Sequence, residues 1–247
     1  MMEEVLLSRA DILLITLGFV FYVHYTLFAW YLTSLMVGVG MDPTYAGVNY
    51  VILLLGYVAI APPLSFVAEK NKSLGRRLIS ASCVLASFGM YFFLRKDFNN
   101  KRVQFFWSVF ATVGITSSYA TSASMLSTCA LDAIKFNFVR LSWGTVRAAM
   151  NFGGASAGLV VLISASLVQG PLSWNRPASL TPAISCSVAA IATALALFSF
   201  ILTLALETSL DKKKNILYRA TTTTTTTRRR QSTTRRITKE FIIKTID

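Results

Sequence analysis

Six long apolar runs constrain this chain more than anything else in it. They cover residues 12–37, 46–68, 78–94, 103–131, 144–168 and 183–206, and of all the Asp, Glu, Lys and Arg residues only Arg147 falls inside one. A helix rises about 1.5 Å per residue, so about 20 apolar residues cross the hydrocarbon core of a bilayer. With no water to bond the backbone there, a spanning segment must be a helix or belong to a closed barrel. Barrel strands are shorter and alternate in polarity, which these runs do not. The sequence therefore predicts an all-α membrane protein, a bundle of six transmembrane helices. The third run is short and is expected to borrow a turn from its flanks. The fourth is long enough to tilt or project. Pro62-Pro63 is expected to kink or end the second helix, because each proline removes a backbone donor.

Only 14% of the 247 residues are charged, against roughly a quarter in a soluble domain. The net charge of +13 is concentrated, with eleven of the 24 Lys and Arg after Glu207. Anionic lipid attracts such clusters, so the lipid bilayer is the expected partner and no nucleic acid is expected, RNA binding by the tail being the one alternative. The start, Met1-Met2-Glu3-Glu4, lacks a basic n-region, and the first run is expected to stay as a helix. Cys83, Cys129 and Cys186 lie inside apolar runs, are odd in number and match no zinc spacing. No disulfide framework or metal site is expected from them, and they read as small packing residues. No HExxH, Walker loop or GxSxG elbow is present, and one histidine does not build a triad. The chain reads as a non-enzyme with no cofactor.

Two segments follow from the composition. Residues 1–207 hold the six-helix bundle. Residues 208–247, with Lys212-Lys213-Lys214, seven consecutive threonines and two arginine clusters, form a basic tail expected to be disordered or to lie on headgroups, with Phe241-Ile242-Ile243 able to dip into the interface. A threonine homopolymer is also what translated simple-repeat DNA looks like. Counted over alternate loops, the basic residues divide nineteen to five, which puts both termini in the cytosol of a multi-pass protein. The sequon Asn71-Lys72-Ser73 then falls on the cytosolic side.

Between the second and third runs stand Ser65, Glu69, Lys70 and Gly75-Arg76-Arg77. The segment resembles the loop of the major facilitator superfamily: Gly, three residues, Asp, a basic residue, then Gly-Arg-Arg. Ser65 takes the place of the Gly and Glu69 that of the Asp, and four residues rather than one separate Lys70 from Gly75. Further on, Arg140-Leu141-Ser142-Trp143-Gly144-Thr145 is similar to the Arg-Leu-Trp-Gly-Ser segment of the branch containing sugar and nucleoside proton symporters and their animal relatives, with Ser142 as an extra residue. Asp132 sits where that family often places an acid that pairs with the loop arginines. The resemblance covers residues 10–206 and implies one half of a twelve-helix transporter that moves a small solute by alternating access. A half-length chain implies a homodimer or a second transporter half as partner. The alternative is a non-transporting membrane interaction protein or an incomplete gene fragment. The resemblance also implies that Glu69, Arg76, Arg77 and Asp132 meet at the cytosolic surface, as a latch or as a solvated loop worth little energy.

Within the runs, His24 is the one histidine and falls in the middle of the first. Ionisable groups there face a cavity or a partner, so it is either a proton-relaying group or a neutral histidine bonded between helices, flanked by Phe21, Phe28 and Tyr31. Ser117, Thr121, Ser124 and Thr128 share one face of the fourth helix. They read as cavity lining or, more readily, as a close-packing face. Arg147 and Asn151 lie one turn apart near the start of the fifth helix, facing the cavity or, for the arginine, snorkelling to headgroups or pairing with Asp132. Gly153, Gly154 and Gly158 mark a helix-packing face. With Gly47 and Gly56 on the second helix, that face is expected to mediate self-association.

Overall fold

A computed structural model describes residues 7–69, 72–96, 98–169 and 181–212. The described residues are all-helical, with no strand. The helices are α1 (Arg9–Trp30), α2 (Leu32–Gly38), α3 (Pro43–Ala59), α4 (Ala61–Glu69), α5 (Lys72–Arg95), α6 (Lys101–Lys135), α7 (Trp143–Gln169) and α8 (Pro182–Lys212). Residues 1–207 make one compact unit and 208–247 a second, of which 208–212 are described, as the last residues of α8. Lys70, Asn71, Arg176, the threonine run and 241–243 lie outside the described residues.

Each boundary has a local cause. Ser8 caps α1 with a reciprocal box: its N–H donates to Asp11 Oδ2 at 2.7 Å, and its Oγ accepts from the Asp11 N–H. The first apolar run then breaks at Tyr31, and α2 closes on Gly40, whose φ of +84° lets the Met41 N–H reach back to Met36 O. Asp42 caps α3 with Pro43 in the first helical turn. The Thr44 backbone N–H, with its hydroxyl in support, holds the exposed Asp42 carboxyl below its ordinary range. The second run breaks at Ile60, just ahead of Pro62-Pro63. Asn100 caps α6, and Asn137, at φ +54°, ends it by letting the Phe138 N–H return to Ala133 O. Ser142, the extra residue of its segment, accepts from the Thr145 N–H at 3.2 Å and so starts α7.

All six apolar runs are helical, but among the described residues four helices are long and apolar enough to cross a membrane: α1, α5 (as Leu74–Arg95), α7 and α8. α3, at 17 residues, is cut short by the Ile60 break. α6 has 35 residues, but its apolar content is diluted by residues such as Ser108, Thr112, Thr116 and Ser122. The third run gains its length at the N-terminal end, where α5 begins at Lys72.

Directions follow from the cross-helix contacts. Ser80, Ser87 and Leu94 of α5 meet Thr203, Thr193 and Cys186 of α8, so that pair is antiparallel. α5 and α6 are also antiparallel, through Cys83–Ser122 and Ser87–Tyr119. α3 runs parallel to α6, with Asn49 on Ser108 and Thr112 and Gly56 on Thr116. α1 runs parallel to α7, with Asp11 on the Arg140 N–H and Tyr22 on Arg147. At that seam Gly18 meets Met150, and a Cβ on Gly153 would overlap the Phe19 carbonyl. The outer surface is apolar, with Leu167, Val58, Phe110 and Phe106 each more than 70% exposed. Burial of such side chains is the normal drive to folding in water, so this surface suits lipid.

Candidate functional site

His24 is fully buried among α1, α6 and α8. Its Nδ1 lies 2.9 Å from Tyr119 Oη and its Nε2 2.9 Å from Ser199 Oγ. Tyr119 Oη is 2.7 Å from Ser87 Oγ, and Ser87 donates to the Cys83 carbonyl at 2.7 Å. One proton assignment satisfies the whole row. The Ser87 proton goes to the carbonyl, so Ser87 accepts from Tyr119, Tyr119 accepts from His24 Nδ1–H, and Ser199 donates to Nε2. In that assignment the imidazole is neutral. Phe21 and Tyr119 stand edge-on to the ring, with centroids 5.1 and 5.2 Å away.

A second cluster sits at the end of the bundle where α5 begins. Glu207, 2% exposed, accepts from Arg76 Nε at 2.9 Å through Oε1 and from Arg77 Nε at 2.6 Å through Oε2. Two residues adjacent on a helix diverge by about 100°. They share this acid because each takes one oxygen. Such charge-assisted bonds are roughly twice as strong as neutral ones.

A narrow cleft of about 40 Å³ links the two clusters. Its lining includes Arg76 and Glu207, then Ser80 and Thr203, then His24 and Ser199. A more open groove lies between α1 and α7, bordered by Tyr22, Thr26, Trp30, Tyr31, Asn151, Gly154 and Gly158.

Of the cavity residues expected from sequence, only His24 lines the cleft. Thr121 and Thr128 donate back to carbonyls of their own helix, Ser117 O and Ser124 O, and Ser117 does the same to Val113 O. Ser117 and Thr121 border a separate groove against α4 and α5, while Ser124 is exposed. Arg147 is exposed and donates to Tyr22 Oη at 3.4 Å, and Asn151 borders the α1–α7 groove. Of the loop motif, Ser65 is half-buried on α4, Glu69 ends α4, and Gly75 lies on α5. Asp132 is half-buried in the last turn of α6. The Arg140 N–H donates to Asp11 Oδ1 at 2.8 Å, pinning the start of α7 to the start of α1.

Sequence reasoning passed over Asp11, Asn49, Tyr119, Ser199 and Glu207. Asn49 offered a signal, as a lone amide inside an apolar run. It is fully buried, donates to Ser108 Oγ at 2.8 Å and accepts from Thr112 Oγ1 at 3.1 Å.

Four helices of spanning length, an apolar exterior and polar groups turned inward define an α-helical integral membrane protein. No family model matches the chain, and no curated protein or solved structure gives a match.

Proposed function

We propose that this chain is a secondary-transporter-like membrane protein that moves a small solute by alternating access, working as one half of the translocation unit. In this reading all six helical rods cross the bilayer, α1–α2 and α3–α4 each as one broken rod, with both termini in the cytosol. The observation that carries it is the cleft running from the Arg76–Arg77–Glu207 cluster to the buried His24 row. Polar groups placed at membrane depth are costly, and a purely structural bundle gains nothing from a passage leading to them.

The polar groove between α1 and α7 supports a missing half, because Tyr22, Thr26, Tyr31 and Asn151 would otherwise face hydrocarbon. The same groove favours a second reading, a non-transporting protein that docks a partner helix there. Uptake of a solute panel into vesicles reconstituted with the chain separates the two. Transport that is lost in His24→Phe supports the first reading. Tight vesicles around a folded, self-associated chain support the second. Gly154→Leu with Gly158→Leu fills the groove and is expected to abolish association while leaving the fold intact.

A further inference from the structure

The cleft among α1, α5, α6 and α8 has a chemistry of its own. Its walls are apolar, with Leu17, Phe21, Met125, Leu126, Phe200 and Leu206. Its polar groups are gathered at the two ends and at two steps between, where Ser80 and Thr203 lie 3.4 Å apart and Cys83 and Ser122 lie 3.1 Å apart. At the mouth, both oxygens of Glu207 are engaged by guanidinium Nε atoms, so that acid is already occupied and does not select a cation. Arg76 also lines the cleft, and among the described residues it bonds Glu207 through Nε alone. Its two Nη groups therefore remain as donors. A planar guanidinium offers paired N–H groups that match a carboxylate. At the far end, His24 is already bonded to Ser199 through one ring nitrogen and to Tyr119 through the other, so it closes the cleft rather than calling for a charged group.

We propose that this cleft binds a small amphipathic monocarboxylate. Its carboxylate takes the Arg76 Nη groups, and its apolar chain lies along the Leu17, Phe21 and Leu126 wall toward His24. The inference rests on the transporter reading, whose solute class it names, but binding itself is measurable without transport.

The test titrates the full chain in nanodiscs with butyrate, hexanoate and octanoate by calorimetry, with hexanol and hexylamine as controls. Hexanoate is expected to bind at least tenfold more tightly than either control. Each added methylene should tighten binding by about fourfold until the chain meets the His24 end. Arg76→Gln should weaken hexanoate at least tenfold. Because that change also disturbs Glu207, Leu126→Trp is the second variant. It keeps the arginine and narrows the wall, so it should shift the preferred chain to a shorter acid. Hexanoate should also slow modification of Cys129, which lines the cleft, by a small thiol reagent. Equal binding of hexanol, no binding of any acid, or a chain-length preference unmoved by Leu126→Trp would overturn the proposal. Carboxylate binding without uptake defeats the transporter reading alone, and uptake of other solutes without carboxylate binding defeats this inference alone.

Discussion

Gly153→Ala is the sharpest test of how the bundle is assembled. A Cβ at this position would overlap the Phe19 carbonyl oxygen and stand 3.0 Å from Phe19 Cα. The obstruction is backbone, so no side chain can swing away and α1 itself must retreat. Forcing extra atoms into a packed seam costs about 1–3 kcal/mol. A backbone obstacle puts this seam in the upper part of that range, about 2–3 kcal/mol, and alanine returns about 1 kcal/mol of helix propensity relative to glycine, which leaves a net loss of about 1–2 kcal/mol. The neighbouring glycines give an internal control. A Cβ at Gly154 meets the Thr26 hydroxyl at 3.2 Å, and one at Gly158 meets the Tyr31 hydroxyl at 3.4 Å. Both obstacles are side-chain tips, so Gly154→Ala and Gly158→Ala should stay within about 0.5 kcal/mol of the parent or exceed it. Equilibrium unfolding in mixed micelles, followed by tryptophan fluorescence, resolves the difference. A Gly153→Ala protein as stable as the parent, or a Gly158→Ala protein as damaged as Gly153→Ala, would refute the α1–α7 seam.

Three further outcomes are expected. Glu207→Gln should lower stability by about 1–3 kcal/mol, because two arginines lose their charged acceptor in a partly buried setting; an unchanged unfolding midpoint would remove the cluster from the list of contacts that matter. His24→Phe and Tyr119→Phe should each destabilise, and the double variant should fall short of their sum by about 1 kcal/mol; strict additivity would count against the bond between them. Asn71 should carry no glycan, and a glycosidase-sensitive mass shift that vanishes in Asn71→Gln would reverse the proposed orientation.

The helices were legible because apolar length and proline leave local traces. The break before Pro62-Pro63 could be read from two residues. The break at Tyr31 could not, since Trp30-Tyr31-Leu32 holds no glycine or proline. The site was legible only as a single letter. His24 is conspicuous in an apolar run, but its partners are 95 and 175 residues away, and tyrosine and serine are too common in the chain to point back to it. Glu207 read as the first residue past the sixth run, because an acid at a helix end looks the same whether it meets water or two arginines from another helix. The hydroxyls of the fourth run were visible as a face, but a serine or threonine in a helix has its own preceding carbonyl within reach. Periodicity alone does not reveal that this bond satisfies it.

The prolines of the second rod have a mechanical consequence. Pro62 and Pro63 have no N–H to give the carbonyls of Val58 and Ala59, the acceptors four residues before them. Across the Ile60 joint the backbone is held by fewer bonds than in any unbroken turn. On one side, α3 is fastened to α6 by Asn49 and by the close fit of Gly56 on Thr116. On the other, α4 leans on α5 and α6 and ends at Glu69. Both arms are thus packed on neighbouring helices, and the joint between them is where the rod's own backbone bonds are fewest, so bending the rod costs the fewest hydrogen bonds at Ile60.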